Sequence, residues 1–466
     1  MTKTKVEDIN TAWFDFANAD IYDYKITAGI DESIVKEISK QKGEPDWVLQ
    51  LRLQALDAYN KLHMPTWGPS LHELNMNEIS TYVRPKSKLN TTWDDVPQDI
   101  KETFDKLGIP KAEHEYLAGV GAQYDSEVVY HSIQNELKSK GVIYTDFDTA
   151  IREYPDIVKK YFGKCVSMWE HKFVALHYAV FSGGSFVYVP KGVVLDKPLQ
   201  SYFRLNSPES GQFEHTLIIV EDGASLHFIE GCSAPKYSKI NLHAGCVELF
   251  VGNSATLRYS TIENWSKNMM NLNTKKAIVG EHGKMIWVSG SFGSHISMLY
   301  PMSVLKGAYA STEYTGISFA GATQNLDTGF KVIHMAPHTS SVVSSKSISK
   351  SGGVATYRSL VRILPEAHNS KCSVSCDGLM LDDISKSDTL PVNDVACDDV
   401  QFSHEAKVGK ISEKAIFYLM SRGLTESDAR ALIVRGFANP ISKELPMEYA
   451  VEMNRLIGLE LEGGIG

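Results

Sequence analysis

Between about Gly183 and Glu405 the chain repeats one short phrase: an apolar residue, three or four small or polar residues, then an alternating apolar strand. Val220–Phe228 (VEDGASLHF), Val251–Tyr259 (VGNSATLRY), Val279–Trp287 (VGEHGKMIW) and Leu305–Glu313 (LKGAYASTE) carry it, and their first residues lie 31, 28 and 26 positions apart. None of this reads as amphipathic helix. A drifting period in this range, with two-residue alternation and Gly or Asn at the turns, predicts a β-solenoid. Such a fold is a long rigid strip that holds distant residues at fixed separations.

The chain has 466 residues, enough for two or three domains. Its net charge of −9 argues against binding a phosphate backbone, so no nucleic-acid partner is expected. No apolar run approaches the length of a spanning helix, and the N-terminal MTKTKVEDINTAWFDFANAD lacks the apolar core of a secretory signal. Six cysteines with no C-x-x-C pair are too few for a disulfide framework. The expectation is a reduced, cytoplasmic protein away from membranes.

The texture changes twice, which suggests three segments: a helical, loop-rich N-terminal domain (1–165), the solenoid (166–405) and a helical C-terminal domain (406–466). In the first, DWVLQLRLQALDAYNKL places Leu49, Leu53, Leu56 and Tyr59 near helical spacing, with Asp46 as N-cap. Ser126–Gly141 is a second expected helix with Gly141 as its C-cap. In the last, Ser412–Arg422 ends at Gly423, and Thr425 to Asp428 resembles a capping box opening a helix with Ala429, Leu432, Ile433 and Gly436 on one stripe. Pro446 opens a third helix with Tyr449, Met453, Leu456 and Ile457. The serine-rich His338–Ser351 reads as polar-faced solenoid coil, because Val and Ile recur through it.

Cysteines need individual argument. Cys232 sits in EGCSAP, where Gly231 and Pro235 fix a bend that could hold a thiol in place. Cys246, inside an alternating strand, and Cys165, in an apolar stretch expected to be helical, read as inert core. Cys372, Cys376, Cys397, His404 and Glu405 gather near the solenoid's C-terminal end, and thiolate, imidazole and carboxylate together suit zinc or iron. Their spacings match no standard zinc pattern. His243, His334 and His338 read as structural. From Cys232 to Cys376 is about five coils, or roughly 24 Å, so the two thiols cannot share one ion within a chain.

Several ordered segments resemble the SufB/SufD family of the Suf iron–sulfur cluster assembly system, and within it SufB. They are SYFRLNSPESGQFEHTLIIVEDGASLHFIEGCSAP, TIENW with NTKKA, VSSKSISKSGG, SHEAKVGKISEKAIFYLMSRGLTESDARALIVRGF and KELPMEYAVEMNRLI. The resemblance covers nearly the whole chain. It implies a right-handed parallel β-helix between helical N- and C-terminal domains. It also implies an assembly scaffold for a transient iron–sulfur cluster, working with SufD, with the ATPase SufC docked on the C-terminal helices, and with a cysteine desulfurase and its sulfur carrier. Cys232 matches the family's sulfur acceptor, with Arg204 and Asn206 on an adjoining coil. Glu263, Trp265 and Lys275 match positions lining a passage, and Cys376 and Glu405 match the nascent-cluster site.

This chain departs from the family at two places. Glu263 stands where relatives usually carry Gln. Ser403 replaces the first Glu of an E-H-E run, so Ser403-His404 is SufD-like, making His404 a candidate ligand and a symmetric homodimer, with Cys376 and Glu405 of one copy facing His404 of the other, an expectation beside SufB–SufD pairing. Flavin is associated with relatives, but no motif here supports it. The chain has no P-loop for ATP hydrolysis. Two other readings remain: a SufD-like structural subunit, and a β-helix carbohydrate-active enzyme using Asp382 and Asp383 or Asp398 and Asp399.

Overall fold

The computed structural model describes residues 18, 22–87, 89–90, 93–98, 100–102, 117–443, 453–458 and 461. It is mainly β, a solenoid of about eight turns with helices before and after it. One ten-strand sheet runs from Gln401–Lys410 to Glu127–Ile133, and a larger sheet faces it.

Each repeated phrase forms the same corner. Val220, Val251, Val279 and Leu305 end strands of the larger sheet, and Ser225–Ser233, Thr256–Asn264, Lys284–Phe292 and Ser311–Ala320 begin just beyond the turn in the ten-strand sheet. These strands pair in parallel. Ser225, Thr256, Lys284, Ser311, Ser340, Lys371 and Gln401 form one row, 27 to 31 residues apart.

The corner has its own ladder. Gly223, Ser254, His282, Tyr309, His338 and Asn369 all take positive φ, from +53° to +68°. That conformation aims each N–H at the next coil: Ser254 donates to the Glu281 carbonyl, His282 to Ala308, Tyr309 to Pro337, His338 to His368 and Asn369 to Asp399. Five of the six residues carry a side chain there, against the steric preference of L-residues. The rings of His282, Tyr309 and His338 stack at 4.7 and 4.6 Å, close to the spacing of stacked strands.

Away from its largely exposed terminal strand Gln401–Lys410, most of the ten-strand sheet is buried on both faces. Its inner face carries Phe228, Tyr259, Trp287, Tyr314, Val343 and Val374 in register. On its outer face Ile229, Ile262, Val288, Ile317 and Ile348 share a core with Val434, Ala438 and Ile441 of helix Glu426–Ser442 and with Met453, Leu456 and Ile457. Among the described residues no helix is long and apolar enough to cross a membrane.

Local expectations met several corrections. Ser126–Gly141 is not one helix: Glu127–Ile133 is a strand antiparallel to Gly119–Tyr124, and only Asn135–Ser139 is helical. The β-favouring run Val128, Val129 and Tyr130 meets an available sheet edge, which outweighs helical spacing. Helix Asp46–Lys61 is capped by Pro45, with Asp46 already inside it. Its most buried face is Val48, Arg52, Ala55 and Ala58, while Leu49, Leu53 and Tyr59 are half-buried. Arg52 can be buried because Glu44 pairs with it and the Ala179 and Phe181 carbonyls at a helix end accept from it at 3.2 and 2.8 Å. Cys165 lies in a bend, not a helix.

At the C-terminus Ser412 and Thr425 cap their helices by accepting from the Ala415 and Asp428 N–H groups. Gly423 takes φ +94°. The buried stripe of the second helix is Ala429, Val434, Ala438 and Ile441, whereas Leu432 is exposed. Pro446 and Tyr449 lie outside the described residues, and Met453, Leu456 and Ile457 are helical and buried.

Burial also sets an acid limit. His131 and His334 are held neutral by desolvation, their pKa values pushed down to about 4. Unfolding frees each to bind a proton below its ordinary 6.5, so the unfolded chain binds more protons between pH 6.5 and 4 and stability falls as pH drops through that window. Each histidine contributes a loss of about 3 kcal/mol by pH 4. Urea midpoints measured from pH 7 to 4.5 should decline, and His334→Gln, which keeps hydrogen-bonding capacity toward Thr339 and Ser341, should flatten the decline.

Candidate functional site

Strand alternation places Leu226, Phe228, Glu230 and Cys232 on the solenoid's inner face. Cys232 is 1% exposed, packed among Phe203, Leu205, Ala234, Trp265 and Met269. Burial pushes its thiol well up from the ordinary range, the nearby Glu230, Glu263 and Glu214 carboxylates add to this, and Lys275 partly opposes it.

Directly beside Cys232 in register stands Glu263, and beside Glu230 stands Thr261. From the facing sheet Lys275 reaches all three polar neighbours: Glu230 at 2.7 Å, Thr261 at 3.2 Å and Glu263 at 3.3 Å. Tyr259 donates its hydroxyl to Glu230. The other Glu263 oxygen accepts from Asn271 at 2.7 Å, Asn271 meets His243 at 2.7 Å, and His243 pairs with Glu214. The His243 ring lies 4.6 Å from that of Trp265. Burial alone would lower the His243 pKa, but Glu214 first and then Glu263 and Asn271 raise it overall. Two polar atoms of this network, Trp265 Nε1 and Glu214 Oε2, have no hydrogen-bond partner among the described residues. A desolvated, partly unsatisfied polar network is a usual mark of function.

Register extends the network as two polar rows. One is Cys232, Glu263, Ser291, Ser318, Ser347 and Gly378; the other is Glu230, Thr261, Ser289, Gly316, Ser345 and Cys376. Cys232 and Cys376 thus stand on adjacent inner rows, five strands apart in the sheet order. Ser345 and Ser347 come from the serine-rich segment, which is the strand Ser340–Ser349. Between the rows lies an enclosed cavity of about 10 Å³ lined by Ser289, Ser291, Tyr314, Thr328 and Ser345 among others.

Arg204 and Asn206 contact other partners than the thiol. In register Arg204 faces Ser233, not Cys232, and donates to the Ser233 hydroxyl at 3.0 Å. Neighbouring residues on a strand point to opposite faces, so this contact lies across the sheet from the thiol. The Asn206 N–H donates to Asp125 at 2.6 Å and its side-chain oxygen accepts from the Asn18 N–H at 3.1 Å, which ties the N-terminal segment to the solenoid.

At the far end Cys376 is 2% exposed, its sulfur 3.4 Å from His404 Nε2 and 3.4 Å from the Glu405 carbonyl. Burial raises the Cys376 thiol and lowers His404, so the imidazole is neutral near pH 7 and can offer a lone pair. His404 Nδ1 has no hydrogen-bond partner among the described residues. The Glu405 side chain is 62% exposed and pairs with Lys407 at 2.8 Å. It therefore lies on the opposite face from Cys376, and one chain brings Cys376 and His404 together without it. That pair needs no second copy.

Cys372 shares the inner face but lies four residues before Cys376, about 13 Å along the strand. Cys397 sits at the corner, beside His368 and Asp399. Cys246 is buried with His177 and His215. Asp382 accepts the N–H groups of Ile384 and Ser385, and Asp383 pairs with Lys410, so these two carboxylates serve a turn and a surface pair. His243, read from sequence as structural, is fully hydrogen-bonded yet belongs to the network. Sequence reasoning missed Glu230, Thr261, Glu214 and the serine rows. The signal was present, since these polar residues recur at the same drifting period as the apolar phrase.

A buried thiol heads a polar, register-matched solenoid interior, and a second thiol and an imidazole lie at its open end, donors of the kind that take up sulfur or a metal. Residues 203–437 match the model of the SUF system FeS cluster assembly SufBD core domain, and residues 36–201 match that of the SufBD protein N-terminal region. The chain is 51% identical over 462 residues to iron–sulfur cluster assembly SufBD family proteins of Staphylococcus haemolyticus and of Staphylococcus aureus strains MRSA252 and USA300, covering 99% of each chain. The chain belongs to the SufBD family of iron–sulfur cluster assembly proteins.

The network makes a stability prediction. Glu230→Ala leaves Lys275 with the Thr261 hydroxyl and, as its one remaining carboxylate, the longer contact to Glu263, and it removes the acceptor of Tyr259, so it should cost about 3–5 kcal/mol. Glu263→Gln keeps the Lys275–Glu230 pair and an amide able to meet Asn271, and should cost under about 1 kcal/mol. Denaturant midpoints compare the two, and equal losses would make Glu263 the main counter-ion instead.

Proposed function

We propose that this chain is the SufB-type scaffold of its system, accepting sulfur at Cys232 and building a cluster at Cys376 and His404. The observation that carries the reading is the pair of polar inner rows joining the two thiols. A carrier persulfide gives its outer sulfur to the Cys232 thiolate: one S–S bond breaks, one forms, and the carrier leaves as thiolate without net oxidation. Because Cys232 is buried with a raised pKa, delivery requires the segment after it, residues 234–240, to open. The sulfur then passes along Glu263, Lys275, Trp265 and the serine rows to the C-terminal coil, with Arg204 and Asn206 holding the entry end in shape.

The partners fit exposed surfaces. Phe417, Tyr418, Met420 and Leu432 project from the C-terminal helices, where a SufC-type ATPase would dock. The terminal strands Lys386–Val395 and Gln401–Lys410 would take SufD or a second copy, which could bring Glu405 to the neighbouring site. A cysteine desulfurase with its carrier would supply sulfur in the cytoplasm. A SufD-like structural role is the second reading, favoured by Ser403-His404 and opposed by the presence of both Cys232 and Cys376.

Anaerobic reconstitution followed by absorption spectroscopy tests the assignment. Cys376→Ala should abolish cluster formation, whereas Cys246→Ala should leave it largely intact. Cys232→Ser should block desulfurase-driven assembly but allow assembly from free sulfide, because a hydroxyl cannot carry a persulfide. Equal yields from all three variants would defeat the scaffold reading.

Light scattering on the isolated chain addresses pairing. A dimer that survives His404→Ala would mean strand pairing joins the copies, whereas a strict monomer would leave SufD as the expected partner.

A further inference from the structure

We propose that His368, Cys397 and Asp399 form a binding site for a divalent transition-metal cation of the iron(II)–zinc(II) class, separate from the Cys376–His404 pair. The three donors converge. Cys397 Sγ lies 2.9 Å from Asp399 Oδ1 and 3.5 Å from His368 Nδ1, and those two atoms are 3.1 Å apart.

A tetrahedral ion with metal–sulfur bonds of about 2.3 Å and metal–nitrogen or metal–oxygen bonds of about 2.1 Å needs donor separations of about 3.4–3.6 Å. The sulfur–nitrogen separation already fits, the nitrogen–oxygen one must open by about 0.3 Å, and the sulfur–oxygen one by about 0.7 Å, within reach of a side-chain rotation of the exposed Asp399. Thiolate, imidazole and carboxylate together suit a borderline cation rather than magnesium or calcium.

The backbone holds the triad in place before any ion arrives. His368 lies in the turn after strand Val354–Ile363, and Cys397 and Asp399 lie in the corresponding turn one coil on, after Lys386–Val395. The His368 carbonyl accepts from His338 at 2.7 Å, and Asn369, at φ +55°, donates to the Asp399 carbonyl at 3.0 Å. These are the last two rungs of the corner ladder, so little ordering remains for binding to impose.

Cys397 is buried on the inner side, while His368 and Asp399 are 59% and 51% exposed, which leaves the fourth position facing solvent. Without metal the thiol donates to Asp399 and the carboxylate pairs with the imidazole. Binding replaces those contacts, and the thiol proton leaves to solvent as the sulfur–metal bond forms. An ion held on three protein ligands with an open fourth is held for exchange, not as a closed structural site. That the ion is iron awaiting assembly rests on the function proposed above; the site itself does not.

Anaerobic cobalt(II) titration of the full chain carrying Cys376→Ser separates the two claims. The expected result is one equivalent of cobalt with a thiolate-to-cobalt charge-transfer band in the near ultraviolet. Adding Cys397→Ser should abolish the band, and His368→Ala or Asp399→Ala should weaken binding at least about tenfold. Unchanged circular dichroism in the variants confirms that the exposed corner remains folded. A band that persists without Cys397, or no cobalt binding in the Cys376→Ser chain, would overturn the site whether or not clusters assemble.

Discussion

Every residue of a coil sits on its counterpart in the next coil, one strand spacing away, and the rest of the molecule follows from that constraint. A parallel register with 27 to 31 residues per turn turns isolated side chains into rows. The inner aromatic row from Phe228 to Tyr314 supplies the cohesion. The polar rows beside it stack polar side chains next to one another, with Gly316 and Gly378 as gaps and the Ser291 hydroxyl without a hydrogen-bond partner among the described residues. The corner ladder, with side chains forced into left-handed geometry, fixes the register independently of the sheets, since one slipped residue would misplace every N–H that crosses to the next coil.

Burying Glu214, Glu230, Glu263, Lys275 and His243 in one interior is expensive, because each ion loses several kcal/mol of hydration. Hydrophobic residues of similar volume would give a solenoid of equal or greater stability. The network therefore does not serve the fold best, and its cost is consistent with retention for chemistry. The same charges act on Cys232. Burial and three carboxylates favour the thiol over the thiolate, and Lys275 is the opposing influence, so the balance at this sulfur depends on which carboxylate Lys275 holds. Glu263 in place of an amide adds one more carboxylate to that balance.

The solenoid was legible because apolar residues repeat at coil length, and Cys232 because Gly231 and Pro235 frame it. The polar rows were equally periodic but escaped notice. Single Ser, Thr and Glu residues at intervals of about thirty look like ordinary turn and surface composition until register aligns them. Facing direction was the other hidden quantity. Sequence put Glu405 beside His404 and so beside Cys376, but adjacent strand residues point to opposite faces, and only the pairing of Ser375 with Glu405 shows that the carboxylate faces away. Ser126–Gly141 failed for a third reason: the preceding strand Gly119–Tyr124, held in the sheet by the distant Leu199–Arg204, offered a hairpin edge that decided between helix and strand.

The two ends of the solenoid are physically unlike. At the N-terminal end Glu127–Ile133 and Ile143–Asp146 pair antiparallel with the sheets and close them. At the other end Lys386–Val395 and Gln401–Lys410 each pair with one strand among the described residues, and Leu390, Val392, Val395 and Val408 are exposed there. An edge this long and apolar invites another strand. Within the closed coils a strand residue has neighbours above and below. Only the terminal coils leave one side open. On the function proposed above, a cluster built on Cys376 and His404 would form where the solenoid ends, at an edge a second subunit could cover, and a sulfur-accepting Cys232 could lie deep inside because only sulfur would have to travel from it to that end.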